Sequence, residues 1–298
     1  LKVYLAGEWK IAEGDLYVTA GVRRRLISYY YHQRWDEDIE QSVKYKLDLF
    51  LDSGAFTAFT KGVQIDPKAY AQFIKDCKGI WSVCSSLDAI GDGDAAARAS
   101  YENLKILEAE GVKVSPVFHV REPDLWLQRY VDEGYPYIFI GGMVPETTGW
   151  LMERLDGLWS HILCNPDGTA KTQVHGFGLT DQKLMFRYPW YSVDSSSWLM
   201  TGIYGGIMLT TPQGPRKIVM SEESPELRKF TGWHFKNLAK PQQDQVREWL
   251  LPYGVTAEQC MQNYRFRNVV NAVSFQEMEK LGTDRFENQQ NTLFSFQA

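Results

Sequence analysis

The chain has 298 residues, 44% of them apolar and 23% charged, with a formal net charge of −5. This length suffices for one large domain or two small ones with a sizeable core. The acidic balance excludes an indiscriminate polyanion binder but leaves room for a local basic face. No apolar run is long enough for a bilayer and no charged-then-apolar leader is present, so an intracellular, cytoplasmic protein is expected. The four cysteines, Cys77, Cys84, Cys164 and Cys260, are widely spaced, with no CxC or CxxC pair, so neither a disulfide nor a zinc site is expected.

In chain order, short β-branched and aromatic runs bounded by turns predict strands at 2–7, 25–31, 48–54, 81–88, 113–120, 137–142, 172–179 and 191–197. Helical patterns fall between most of them. Asp66-Pro67 is an N-cap followed by proline at the first helical position, and Tyr70, Phe73, Ile74 and Cys77 then form one apolar stripe. The Ala-rich stretch 94–110 stops at Gly111. Pro123 opens a helix carrying Trp126, Leu127, Tyr130 and Val131, and 150–163 holds another.

Eight strands alternating with helices predict an α/β fold, a (β/α)₈ TIM barrel over residues 1–200. The competing doubly wound fold lacks its GxGxxG turn. Over 201–298 the pattern changes to a β-hairpin at 205–220 with Arg216 and Lys217 near its tip. Helices follow at 241–251, 256–263 (Thr256 with Gln259 as a capping box) and 264–281, where Phe266, Val269, Val270 and Val273 make an apolar face. A polar, loose tail is expected from Gly282. This extension is either part of the same domain or a small appendage. Arg23 to Arg25, Arg228-Lys229, and Arg265 with Arg267 are further basic clusters, a pattern that is usually just a solvated face.

The carboxyl ends of barrel strands carry the active site in this architecture. Asp52 ends the third predicted strand and Asp88 the fourth, His119 lies near the end of the fifth, and Gly141-Gly142 close the sixth. His175-Gly176 interrupts the seventh, and Asp194 sits in the eighth. A single Asp before Ser-Gly is most simply a turn or a helix cap. Phe56 and Phe59 alone read as core, and His119 alone as a satisfied barrel histidine. Three carboxylates arriving at one rim favour chemistry: glycosidic bond exchange or hydrolysis, or else magnesium binding through oxygen ligands.

Taken together, LDSGAF, SSLD, FIGG and SVDSSSW resemble the tRNA-guanine transglycosylase superfamily. The closer likeness is to its phage and bacterial DNA branch, the DpdA-type 7-deazaguanine DNA transglycosylases, over roughly residues 1–200. The resemblance implies a (β/α)₈ barrel and a pentosyltransferase without cofactor, with a free 7-deazaguanine (preQ0-like) base as co-substrate. Asp194 matches the aspartate nucleophile, Asp52 the aspartate that moves protons during base exchange, and Phe56 the ring stacked on the base. Asp88 matches the carboxylate that accepts from guanine N1–H and the 2-amino group, two donors that suit its two oxygens. Gly141, Gly142 and Met143 match a backbone-contact turn near the base, His175 the base's other face, and His119 a polar base contact. The superfamily's zinc subdomain after the nucleophile has no counterpart here, a loss shared with the DNA branch, so DNA is the expected partner. Arg216, Lys217, Arg228 and Lys229 are then candidate phosphate contacts. A phage-encoded chain would work in the host-cell cytoplasm. Rival expectations are guanine exchange in RNA, a hydrolytic TIM-barrel glycosidase, and a nucleic-acid-binding barrel with a vestigial pocket.

Overall fold

The computed structural model describes residues 1–7, 10–91, 93–179, 181–211, 214–225 and 234–293. Eight strands form one sheet: β1 (Lys2–Ala6), β2 (Arg24–Ser28), β3 (Asp48–Asp52), β4 (Trp81–Cys84), β5 (Val117–His119), β6 (Tyr137–Gly141), β7 (Gln173–Gly176) and β8 (Ser192–Ser195). Their order is β4-β3-β2-β1-β8-β7-β6-β5, and β3–β4, β5–β6, β6–β7 and β7–β8 pair in parallel. All eight predicted runs contain a strand. The fifth is shorter than expected because Pro116, which has no N–H for the ladder, separates Val117 from Ser115. Ser115 still forms a parallel bridge to Ser85, beyond the other end of the strand order. Its N–H donates to the Cys84 carbonyl at 2.9 Å and its carbonyl accepts from Ser86 N–H at 2.8 Å.

The helices are α1 (Gly14–Ala20), α2 (Glu37–Lys44), α3 (Ala55–Thr60), α4 (Pro67–Asp76), α5 (Gly93–Ala109), α6 (Asp124–Asp132), α7 (Thr148–Leu158), α8 (Gln182–Met185), α9 (Ser197–Ile203), α10 (Lys240–Leu250), α11 (Ala257–Gln262) and α12 (Tyr264–Leu293). Their ends follow the local chemistry. The Asp66 carboxylate accepts from Lys68 N–H at 3.0 Å to open α4, whose Tyr70, Phe73 and Ile74 are buried. Thr256 and Gln259 exchange hydrogen bonds of 3.1 and 2.8 Å, completing the expected capping box. Gly282 does not end the last helix, which continues to Leu293 instead of loosening. A lone glycine inside a helix costs only about 1 kcal/mol relative to alanine.

The chain divides into two compact units, residues 1–4 with 25–194 and residues 5–24 with 195–298. In the first, Leu49, Phe50 and Leu51 of β3 and Ile138, Phe139 and Ile140 of β6 are wholly buried. Phe50 meets Tyr4 edge-on at 5.4 Å between ring centroids and Phe139 at 5.0 Å, giving an aromatic core beneath the strand ends.

In the second unit, β9 (Gly206–Thr211) and β10 (Gly214–Val219) pair antiparallel, with Arg216 and Lys217 exposed on β10. The valines of α12 are buried as expected, but so are Asn268, Asn271, Ser274 and Gln276 on the same helix. Asn271 accepts from Met208 N–H at 2.6 Å and donates to the Trp198 and Gly206 carbonyls at 3.1 and 3.2 Å, pairing buried backbone groups.

Several cations read as solvated faces have structural work instead. Arg25 is buried with a two-point contact to Asp38, at 2.7 and 2.9 Å. Arg24 pairs with Glu279 and Arg265 with Glu13, while Arg267 is buried on the Gly202 and Cys260 carbonyls. Arg228 and Lys229 lie outside the described residues. Among the described residues, no helix is long and apolar enough to cross a membrane.

Candidate active site

Asp52 is the last residue of β3, and the turn that follows explains why an apolar strand stops at a carboxylate. The Gly54 N–H donates to Asp52 Oδ2 at 3.0 Å. Gly54 takes φ +75, and a Cβ there would lie 2.5 Å from both Ser28 Oγ and Tyr30 Cβ, so only glycine fits. Between them, Ser53 donates its N–H to Ser85 Oγ at 2.8 Å and its hydroxyl to Asp88 Oδ1 at 3.3 Å. The Asp-Ser-Gly turn is therefore both a turn and the fixture that holds Asp52 beside Asp88.

Asp52 keeps some surface open to solvent, yet its carboxyl is surrounded closely enough for burial to push its pKa up to about 7. The charges of Asp88 and Asp194 add to that rise, against the lowering effect of the Gly54 and Ser53 N–H groups. Both of the other predicted rim carboxylates are thus within electrostatic reach of Asp52. A carboxyl that titrates near neutrality can give and take a proton at working pH.

Asp194 sits in β8 and is buried, with one oxygen committed: Oδ1 accepts from Gly178 N–H at 2.9 Å and faces His175 Nε2 at 3.2 Å. Oδ2 has no hydrogen-bond partner among the described residues. His175 has no exposed surface. Its ring is enclosed by Phe50, Phe139 and Phe177, with centroids 4.6, 5.3 and 4.8 Å away. Burial lowers its pKa, outweighing the Asp194 carboxylate beside it, so the ring is neutral. Its Nδ1 lies 2.5 Å from Ser192 Oγ, which is itself hydrogen-bonded to the Tyr137 hydroxyl. The network assigns the proton to Nε2, donating to Asp194, while Nδ1 accepts from Ser192 and Ser192 accepts from Tyr137. The resemblance set His175 on the other face of a base; in the structure its ring is enclosed and hydrogen-bonded to Asp194.

Asp88 lies in the loop after β4 rather than at the strand end. Its Oδ1 accepts from Ser53 and its Oδ2 lies 2.9 Å from His119 Nε2. His119 is thereby bound to Asp88, where the sequence suggested a direct base contact. Gly141 and Gly142 explain themselves against the same ring: added Cβ atoms would lie 3.0 Å from His119 Cδ2 and 3.1 Å from His119 Cβ. They form the seat of the imidazole, with Met143 buried behind them.

One buried acid went unnoticed in the sequence. Glu122 is 2% exposed, and its Oε2 accepts from His119 N–H at 3.1 Å. Burial pushes its pKa to about 7, with the Asp88 charge adding to the rise and His119 opposing it. An acid three residues after a strand-end histidine was the only available signal. Phe56, in the first turn of α3, is 63% exposed and Phe59 60%, so neither ring is core.

Among the described residues, no group of three or more His, Cys, Asp and Glu side chains is arranged to hold a metal ion. No family model matches the chain, and no curated protein sequence matches it. A solved structure of nitroalkane oxidase from Streptomyces ansochromogenes aligns with 93% of this chain and 96% of its own, at 11% identity and a TM-score of 0.32, a likeness too slight to bear on fold or activity.

Proposed function

We propose that the chain is a (β/α)₈-barrel pentosyltransferase of the tRNA-guanine transglycosylase type, exchanging guanine in DNA for a free 7-deazaguanine. Closure of the barrel is supported by the Ser85–Ser115 bridge between the two ends of the strand order. The observation that carries the chemistry is the coupling of Asp52 to both Asp88 and Asp194, which together with burial raises its pKa to about 7.

In this reading the target guanine leaves the base stack so that a carboxylate can reach C1′. Asp194 Oδ2 forms a bond to C1′ as the C1′–N9 bond breaks, and the departing guanine takes the proton that Asp52 holds. The incoming 7-deazaguanine returns its N9 proton to Asp52 and attacks C1′, and Asp194 leaves as a carboxylate. Two inversions keep the original anomer, protons balance over the cycle, and no cofactor is required. Carbon in place of N7 removes a favourable protonation site from the new base, which disfavours the reverse exchange. Asp88 accepts from the base's adjacent N–H donors, and exposed Phe56 offers a stacking face. Exposed Arg216 and Lys217 are assigned to phosphates.

Nucleoside mass spectrometry on DNA incubated with enzyme and free 7-deazaguanines tests the reading. Incorporation into DNA, with a covalent enzyme–DNA adduct lost in Asp194→Asn, is expected. Base release with water alone would indicate a hydrolase, and exchange confined to RNA would replace the substrate.

A further inference from the structure

Glu122 follows β5 and precedes α6, and its side chain turns back onto the residue that ends the strand. The Glu122 N–H donates to the His119 carbonyl at 2.9 Å while Glu122 Oε2 accepts from His119 N–H, closing a reciprocal clamp. The other oxygen, Oε1, is buried, makes no hydrogen bond among the described residues, and stands 3.9 Å from His119 Nδ1. A buried carboxyl oxygen left unpartnered is destabilising, more so if charged, so its place beside the His119 ring calls for an explanation. On the far side of the ring, Nε2 meets Asp88, and Gly141 and Gly142 leave no slack for the imidazole to swing away.

The result is a line of two acids with one imidazole between them. Each protonation state of Glu122 gives His119 the same orientation. A protonated Glu122 offers O–H toward Nδ1 and leaves the ring proton on Nε2, and an ionised one favours the imidazolium, with protons on both nitrogens. In both cases Nε2 carries the hydrogen that binds Asp88. We propose that Glu122 is a positioning residue for base recognition, acting through His119 to set how strongly Asp88 accepts the N–H donors of a purine-type base. The proposal rests on the base-exchange reading for its ligand, but not for the coupling between Glu122 and His119.

Other charged or titratable groups among the described residues face this array. Asp88 comes from the loop after β4, with Asp52 behind it, and Tyr130 faces Glu122 from α6. Arg154 of α7 donates to the Val120 and Glu122 carbonyls at 2.7 and 3.2 Å, and its charge is met by Asp124 at 2.5 Å. Asp88 and Glu122 both carry charge against His119, at 2.9 Å from Nε2 and 3.9 Å from Nδ1.

The test is Glu122→Gln in the full chain, because glutamine keeps the shape and can still accept from His119 N–H. Imidazole nitrogen shifts of the ¹⁵N-labelled protein are followed against pH, and the affinity for free 7-deazaguanine is measured by calorimetry. Loss of the neighbouring acid should lower the His119 titration midpoint by about one pH unit and weaken base binding about 10-fold, while the thermal midpoint stays put. An unchanged His119 titration overturns the coupling, whatever the enzyme's activity. A moved titration with unchanged base affinity overturns the role in recognition. Failure of the wild-type protein to bind any such base defeats the base-exchange reading and the recognition role together, while the titration still reports on the coupling alone.

Discussion

His175 Nε2 stands 3.2 Å from Asp194 Oδ1, and the same ring's Nδ1 is 2.5 Å from Ser192 Oγ. A neutral imidazole is thus clamped between a hydroxyl and the carboxylate assigned as nucleophile, with aromatic rings around it. Replacing it by alanine removes one of two donors to Oδ1. A hydrogen bond to a charged group is worth about 1.5–3 kcal/mol, or roughly 10- to 100-fold in the rate of the step that uses it. His175→Ala should therefore slow covalent adduct formation by that factor at saturating DNA, measured in single turnover per folded molecule. An unchanged adduct rate would remove His175 from the mechanism.

Asp52 gives a pH signature of its own. Its carboxyl titrates at about 7 in the folded protein against an ordinary value of 3.8, so the folded state holds the proton more tightly. The stability contributed by this group is full below about pH 4 and is lost as pH rises through about 7. Asp52→Asn mimics the protonated form and escapes that loss. The variant should match the wild type near pH 4 and exceed it at pH 8 by about 2 kcal/mol, a figure reduced for the partial exposure of the site. Denaturant unfolding at the two pH values measures the difference, and equal gains at both would contradict the assignment. Exchange activity should fall by at least about 100-fold.

At Gly54 any side chain meets Ser28 and Tyr30 while adopting a left-handed backbone. Gly54→Ala should cost about 1–3 kcal/mol by thermal or denaturant unfolding. It should also disturb Asp52, whose Oδ2 depends on the Gly54 N–H. Activity should fall more than the folded fraction does.

Phe56 makes the opposite prediction. Its ring is mostly solvent-exposed, so Phe56→Ala should leave stability within about 0.5 kcal/mol of the wild type. Stacking on a base is worth about 1–3 kcal/mol, so base affinity should drop roughly 5- to 100-fold. Unchanged affinity would assign the ring elsewhere.

Much of this arrangement was legible in the residues. Eight apolar runs with turn punctuation marked all eight strands, because a buried parallel strand must be apolar along its length. The rim acids stood out because each interrupts or follows such a run. Glu122 did not, since its role arises only when the chain doubles back on His119, three residues away but across the strand end. Gly141-Gly142 looked like a ligand-facing turn because sequence records the missing side chains but not the imidazole that fills their space. Short helices such as α2, α3 and α9 escaped notice because one or two turns carry too little periodicity to read. The paired arginines Arg24, Arg25 and Arg265 could not be told from a solvated face for a similar reason: Glu279, Asp38 and Glu13 reach them from distant parts of the chain or from neighbouring elements.

The second unit joins residues 5–24 to residues 195–298. Arg23 N–H donates to Gln276 Oε1 at 2.8 Å, and Arg24 pairs with Glu279, sequence separations of 253 and 255 residues. On the ribosome, residues 23 and 24 must therefore wait for more than 250 further residues before they meet these partners. Such late loop closure slows folding and prolongs exposure of the early apolar side chains. Synthesis stalled before α12 emerges would leave residues 5–24 without these mates, a natural point for chaperone engagement during biogenesis.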